Sequence, residues 1–204
     1  VMFEHYFKSM GIVSAGIFYK DIDDYIYIRN YDLDGGEYDG WETVQPMNAG
    51  QASLYGIELS VQRQLDFLPG FLNGFGIYAN YTYTSSEADL KDRNEKTTLP
   101  GQSEHMANFA VSYEKGRFSG RVALNMHGSY IDEIGEEKAE DEYYDDHLQL
   151  DLSASYQVTS NISLFAEFIN LNNEPMRYYM GKSSYPSQRE FYSWWSHFGI
   201  KMNL

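Results

Sequence analysis

Apolar and polar side chains alternate with a period of two along most of this chain. Leu148, Leu150, Leu152, Ala154 and Tyr156 take one set of positions, and Gln149, Asp151, Ser153, Ser155 and Gln157 take the other. Successive side chains of a strand point to opposite faces, so this spacing predicts a strand with one apolar and one polar face. Tyr55, Ile57, Leu59 and Val61 alternate in the same way with Gly56, Glu58, Ser60 and Gln62. So do Ile77, Ala79, Tyr81 and Tyr83 with Tyr78, Asn80, Thr82 and Thr84. Phe109, Val111 and Tyr113 alternate with Asn108, Ala110, Ser112 and Glu114, and Phe118, Val122, Leu124 and Met126 with Arg117, Ser119, Arg121, Asn125 and His127. Helix signals are almost absent. The pattern predicts nine strands, near 1–8, 11–29, 48–64, 73–88, 104–115, 117–131, 147–158, 161–180 and 190–204.

Several of these are longer than the ~5–6 residues of a usual globular strand and match the ~9–11 residues that cross a bilayer at a tilt. The connections sort by length. Ser9-Met10, 65–72, Lys115-Gly116 and Thr159-Ser160 are the shorter ones, and they alternate with the long segments 30–47, 89–103, 132–146 and 181–189. A two-sheet sandwich also alternates apolar and polar positions, but it has no reason to sort its loops this way. Outer-membrane barrels do, with short periplasmic turns and long extracellular loops. The expected fold is therefore all-β, an antiparallel transmembrane β-barrel. Leu148, Leu150, Leu152 and Tyr156 should face lipid, and Gln149, Asp151 and Ser153 the lumen.

Composition fits that expectation. Mean hydropathy is −0.52, yet the chain carries 19 Tyr, 12 Phe and 3 Trp against only 5 Pro. A barrel with an apolar outer face, a polar lumen and aromatic girdles averages out as hydrophilic. The opening Val1-Met2-Phe3 is strand-like, with no signal peptide before it, and a strand runs through Phe191, Trp194, Trp195, Phe198, Ile200 and Met202 to Leu204. A barrel cannot leave a sheet edge open in lipid. The expectation is that residues 1–204 are the C-terminal part of a larger barrel, although a small self-closed barrel of eight or ten strands also fits the count.

Formal charge is −15, from 30 acidic and 15 basic side chains. That argues against a nucleic-acid partner, since a polyanion would be repelled. The charge lies in the long loops: nine of the fifteen residues from Asp132 to Asp146 are acidic and one is basic. Asp32, Asp34, Glu37 and Asp39 load the first long loop, and Glu87, Asp89, Asp92 and Glu95 the second. Solvated loops are the favoured reading. The run Asp32-Leu33-Asp34-Gly35-Gly36-Glu37 lacks EF-hand spacing. There is no cysteine, and His5, His105, His127, His147 and His197 are scattered, with no H-E-x-x-H pair, G-x-S-x-G elbow or Walker loop. No catalytic residue, metal site or cofactor is expected, and the chain reads as a non-enzyme. Lumen-facing Arg117, Arg121, Glu58 and Glu167 read chiefly as barrel-wall hydrogen bonding. Tyr38, Trp41, Tyr143, Tyr144 and Tyr185 lie in the long loops. Packing of loop on loop is the favoured reading of them, and stacking on a sugar ring or a catecholate makes them the ligand-contact candidates.

Four stretches together resemble a known family. LPGQSEHMANFAVSYEKGRFSGRVALN (Leu99 to Asn125) and GIFYKDIDDYIY (Gly16 to Tyr27) are similar to the barrel strands of TonB-dependent receptors. So are QPMNAGQASLYGIELSVQRQLDFLPGFLNGFGIYANYTYT (Gln45 to Thr84) and NISLFAEFINLNNEPMRYY (Asn161 to Tyr179), the second resembling the penultimate strand. The resemblance is strongest to the type of Bacteroidetes and glycan-using Proteobacteria. It implies a 22-stranded barrel with a plugged lumen, of which these are the last nine strands, with the plug domain and first strands absent here. It further implies an outer-membrane receptor that takes up an oligosaccharide or a ferric siderophore with TonB-derived energy. The implied partners are outer-membrane lipid, the TonB system acting through the plug, and the barrel-assembly machinery. That machinery would read a terminal strand of Phe198, Ile200, Met202 and Leu204, where the family usually ends on an aromatic residue. A passive outer-membrane pore or an adhesin barrel is the alternative reading.

Overall fold

The computed structural model describes residues 1–204 apart from Ser9, Lys91, Asp92 and Leu204. Its strands are β1 (Met2–Tyr6), β2 (Gly11–Asp23), β3 (Ile26–Asp32), β4 (Glu42–Asn48) and β5 (Gln51–Gln64). After a short 3-10 turn (Gly70–Gly74) come β6 (Phe75–Leu90), β7 (Glu95–Thr97), β8 (His105–Lys115), β9 (Phe118–His127), β10 (Tyr130–Glu133) and β11 (Glu142–Tyr144). The chain continues with β12 (His147–Gln157), β13 (Ile162–Ile169), β14 (Met176–Met180), β15 (Pro186–Glu190) and β16 (Trp195–Met202). No helix of the described residues is long and apolar enough to cross a membrane, a fact that says nothing about strands.

Nine of these strands form one antiparallel wall in the order β1-β2-β5-β6-β8-β9-β12-β13-β16, with β7 adding to β6. The nine predicted strands are the nine wall strands. Because neighbours in the wall follow one another along the chain, every short connection lies at one end and every long one at the other. The sheet is open, with β1 and β16 as its edges.

Register sorts the side chains onto two faces. One row on the apolar face runs Leu59, Tyr81, Ala107, Met126 and Leu148, each directly opposite the next. Another runs Val111, Val122, Leu152 and Phe168. Ile17, Tyr55, Phe109, Leu148, Tyr156, Phe198 and Ile200 on this face are all exposed, as residues meant for lipid must be in the bare chain. The opposite face carries polar ladders. Ser14 meets Ser60 at 2.8 Å, Asn108 donates to Asn80 at 2.9 Å, and Asn125 donates to Asp151 at 3.1 Å. Phe18 lies across from Gly56, where an added Cβ would come within 2.1 Å of the Tyr83 carbonyl oxygen. Phe165 covers Gly199 in the same manner. A ring laid over a strand glycine restores the surface that the missing side chain leaves bare.

The long connections differ from their prediction as plain loops. The predicted strand 11–29 breaks at Asp24 (φ 53°), and its second half becomes β3, which pairs with β4 in a hairpin. The strand 117–131 breaks at Gly128-Ser129, and 161–180 stops at Ile169. There Asn170 (φ 58°) closes a turn by bonding the backbone of Glu174 through both ends of its amide. The released segments make a second sheet, β10-β11-β14-β15. A single-layer wall has no interior, and the main buried apolar cluster sits in these connections. Tyr25, Tyr27, Ala49, Ala52, Ala88, Leu90, Ile131 and Ile134 are all under a tenth exposed, with Met47, Leu99 and Tyr143 packed around them. Ala52, Ala88 and Leu90 share a face with the polar ladders, so the connections fold inward over the polar side of the wall.

Arg93 ties this assembly together. It donates two hydrogen bonds to the Asp141 carboxylate and one to the Gly135 carbonyl at 3.2 Å, and its Nε bonds Glu95 at 2.6 Å. Its side chain is 8% exposed and that of Asp141 is 1%. Burial would lower the pKa of this guanidinium, but the bonds to Asp141 and Glu95 outweigh that and raise it, so Arg93 stays charged. Gly135 completes the knot by donating its N–H to Asp141 at 3.1 Å.

Two outcomes follow. Leu152→Arg should destabilise the membrane-embedded barrel by ~2–4 kcal/mol if it sits at the midplane, measured by reversible unfolding in lipid. An unchanged stability would place Leu152 away from lipid. Arg93→Ala leaves Asp141 buried without its cation, a loss of about 3–5 kcal/mol. Hydrogen exchange should then rise in 95–97 and 130–144 while β8, β9 and β12 stay protected; equal protection in both segments would show that the connections hold without this pair.

Candidate functional site

Two concave regions lie at opposite ends of the wall. At the short-turn end a cavity of about 1060 Å³ is lined by Arg63, Arg121, Lys115, Gln62, Gln64 and Ser112, among others. Arg63 lies 4.0 Å from the Phe7 ring centroid and 4.9 Å from that of Phe67, and Arg121 lies 5.8 Å from that of Tyr78. The rings hold the guanidinium planes in place without neutralising them.

At the other end, the β3–β4 hairpin and the segment before β11 enclose a cleft of about 420 Å³. Asp32, Glu42, Glu133, Glu136, Glu140 and Glu142 line it, and among the described residues no basic side chain does. The hairpin is fixed to this segment by backbone contacts. Asn30 N–H donates to the Ile134 carbonyl at 3.1 Å, and Asp32 N–H donates to Glu136 at 2.9 Å. Arg177 reaches Asp145 and Glu174, both at 3.2 Å, and so joins the β14 segment to the same group.

Between the cleft and the wall lies an aromatic layer. Tyr143 stacks on Tyr179 with centroids 5.0 Å apart and planes at 1°. Tyr144 stacks on Tyr130 at 5.5 Å and meets Tyr178 edge-on at 4.8 Å. Partial burial, and then the nearby Asp132 carboxylate, push the Tyr178 hydroxyl up to about 12. Burial, with Tyr27 and Asp89 adding to it, does the same to Tyr25. Tyr143 and Tyr144 are raised too, first by burial and next by Asp141 and Glu174 respectively. These phenols stay protonated at neutral pH and present neutral hydroxyls.

The candidate residues of the sequence thus occupy different places. Tyr143 and Tyr144 belong to the aromatic layer. Tyr38 and Trp41 sit at the hairpin tip, 50% and 62% exposed, edge to face with each other at 5.1 Å. Tyr185 is exposed in the β14–β15 turn. Phe198, Ile200 and Met202 line the apolar face of β16, opposite Ala166, Leu164 and Ile162, and Leu204 lies outside the described residues. Glu167 of the lumen-facing charges stands 3.7 Å from His197. Tyr130, Tyr178 and Arg93 are not among the sequence candidates, because their partners lie far away along the chain. The doublets Tyr143-Tyr144 and Tyr178-Tyr179 were the available signal, since they pair in register on β11 and β14. Among the described residues no group of three or more His, Asp or Glu side chains is arranged to hold a metal ion.

Comparison with known proteins agrees with this architecture. The vitamin B12 transporter BtuB of Photobacterium profundum is 29% identical over 147 residues, 72% of this chain and 21% of that protein. The chain therefore spans about a fifth of that relative's length. The ferric citrate transporter FecA superposes with a TM-score of 0.66 at 14% identity, covering 97% of this chain and 30% of that one. A mutant of the ferric enterobactin receptor PfeA from Pseudomonas aeruginosa gives 0.63 at 13% identity, covering 98% and 29%. The family described as "TonB dependent receptor-like, beta-barrel" matches residues 3–171. The chain belongs to that family, and its place is the outer membrane.

Proposed function

We propose that this chain forms part of the wall and mouth of a larger outer-membrane receptor that captures a scarce solute outside the cell and admits it with TonB-derived energy. The observation that carries the reading is the two-faced open wall, whose long connections lie at one end, three of them packed together over its polar face. An open edge in hydrocarbon would leave a row of backbone groups without partners. The unpaired edges of β1 and β16 call for further strands, in keeping with a 22-stranded barrel of which residues 1–204 are the C-terminal part. A plug domain would then sit against the polar face and transmit the TonB pull.

The mouth selects by charge. Six carboxylates line its cleft, with no basic side chain among the described residues of the lining, a field felt over about 8 Å at physiological ionic strength. It opposes an anionic ferric siderophore and suits an uncharged or cationic solute. A neutral oligosaccharide fits, as does a corrinoid of the kind named for the BtuB relative. Tyr38, Trp41 and Tyr185 are the exposed rings that such a solute meets first, and Tyr143 and Tyr144 line the layer beneath. Carriage without covalent chemistry is the role in keeping with the transporter and receptor relatives. The β16 side chains Phe198, Ile200 and Met202 supply the strand read by the assembly machinery.

Two measurements test this. Deleting the parent gene should abolish growth on one carbon, vitamin or metal source, and loss of TonB should reproduce the defect. Uptake that persists without TonB would leave a passive pore. A cysteine placed at the exposed Glu137 should react with an impermeant maleimide in intact cells; reaction only after the outer membrane is broken would reverse the orientation.

A further inference from the structure

The lipid-side column of β5 changes character at its short-turn end. Tyr55, Ile57, Leu59 and Val61 follow one another on the apolar face, and the next residue on that face is Arg63. Its partners in register are Gly11 on β2 and Ile77 on β6, so it belongs to the apolar rows and not to the polar ladders. This arginine is packed but not paired. Its guanidinium lies 4.0 Å from the Phe7 ring centroid and 4.9 Å from that of Phe67. A Cβ at Gly11 would come within 3.1 Å of the Arg63 Cγ and 3.2 Å of the Phe7 ring, so the glycine leaves the room that stem and ring occupy. The Nε is buried and has no hydrogen-bond partner. Among the described residues no carboxylate forms an ion pair with it. Aromatic faces attract the cation but accept little from its N–H fork, which keeps its capacity for an anion.

Depth places this group at a membrane boundary. Tyr19 and Tyr55, directly opposite each other and more than half exposed, mark the other end of the same lipid-side surface. Arg63 lies eight residues beyond Tyr55. Eight extended residues cover about 26 Å of strand, or roughly 20 Å of depth at a tilt near 40°, close to the ~25 Å of an outer-membrane apolar band. The turn after β5 carries on the belt, with Phe67 and Phe71 exposed by 62% and 66%. That turn is pinned in place. Leu65 N–H donates to the Phe75 carbonyl at 2.7 Å, and Lys115 Nζ donates to Asn73 Oδ1 at 2.9 Å and to the Gly70 carbonyl at 2.5 Å. Rings held outward on a fixed turn at this depth stand where hydrocarbon gives way to headgroups.

We propose that Arg63, held between Phe7 and Phe67, binds the phosphodiester of a membrane glycerophospholipid on the outer wall of the barrel at its short-turn end. The planar guanidinium fork matches two oxygens of a phosphate, and its stem can lie on apolar surface while its head reaches the polar layer. One acyl chain follows the column of Val61, Leu59 and Ile57, and the rings of Phe67 and Phe71 border the glycerol region. A free phosphate ion has the same head but gains nothing from that column or those rings, so the occupant is a diacyl lipid. In the orientation proposed above, this lipid belongs to the periplasmic leaflet.

The test uses the full-length protein in an uncharged detergent, with dioleoylphosphatidylglycerol, dioleoylglycerol and inorganic phosphate as probes and native mass spectrometry as the readout. The phospholipid should stay bound, dioleoylglycerol should not, and excess inorganic phosphate should fail to displace the lipid. R63Q should lower lipid retention by about tenfold or more, the scale of a lost charge-assisted hydrogen bond. R63K should keep part of it, because an ammonium retains the charge without the fork. F67A should weaken it as well. R117Q should change nothing, since Arg117 lies at the same end but its guanidinium bonds the Val158 carbonyl at 3.4 Å. Heat-modifiable gel mobility confirms that each variant is folded. Folded R63Q that retains the lipid like the wild type, or equal losses in R63Q and R117Q, would overturn the proposal. The comparison of probes on the wild type needs no variant: dioleoylglycerol held as firmly as the phospholipid, or a lipid displaced by inorganic phosphate, overturns it too. Retention is read without TonB or a solute, so its failure beside intact TonB-dependent uptake removes the lipid site and leaves the receptor reading.

Discussion

A backbone amide in hydrocarbon has no water to turn to, and the structure is organised around that constraint. Each interior wall strand is paired on both sides, from the β1–β2 ladder to the β13–β16 ladder. Full pairing forces an extended chain, and an extended chain sends alternate side chains to lipid and to lumen. Register is then held from both faces. A slip of one residue in β12 would drive Asp151 into lipid and Leu152 among Arg121, Asn125 and Glu167. The ladders Ser14–Ser60, Asn80–Asn108 and Asn125–Asp151 add side-chain bonds that only one register satisfies.

A wall one layer thick cannot bury a core within itself, so burial moves to the mouth. Extensions of β2, β5 and β6 beyond the lipid-facing rows supply Ile22, Ala52, Ala88 and Leu90, and the connections bring Tyr25, Tyr27, Ile131 and Ile134 down onto them. The mouth is therefore continuous with the wall. Its backbone bonds also cross between connections, as where Gly101 N–H donates to the Ile131 carbonyl at 2.7 Å.

Charge is distributed by the same logic. Asp141, nearly fully buried, is matched by a two-pronged guanidinium and a backbone N–H. Asp145 and Glu174 share Arg177 at the half-exposed margin. The carboxylates of the cleft are met by neutral donors instead: Glu133 accepts from Asn30, Glu136 from the Asp32 N–H, Glu140 from the Glu137 N–H and Glu142 from the Ser187 hydroxyl. So a strongly acidic segment serves two ends: one of its carboxylates cements the mouth and several others set the field within it.

The wall was legible in the sequence because its signal is local. Period-two runs such as Leu148 to Gln157 name both faces, and alternation of short and long connections names both ends. Resemblance of four stretches to TonB-dependent receptors carried the family. The breaks at Asp24, Gly128 and Asn170 were missed because strand-like apolar residues resume on their far sides, while the backbone there turns to serve distant partners. β11 pairs with β14 across more than thirty residues, and Arg93 finds Asp141 forty-eight positions away. Neither short strand carries a periodic pattern long enough to read. His127 and His147 looked scattered for the same reason: only the register of β9 on β12 makes them neighbours. Sequence by itself determined which residues share the apolar face and how many strands carry them, because those follow from bonds between each residue and the next. Which loop residues meet was decided by tertiary structure alone, because those contacts join segments whose separation along the chain bears no relation to their distance in space.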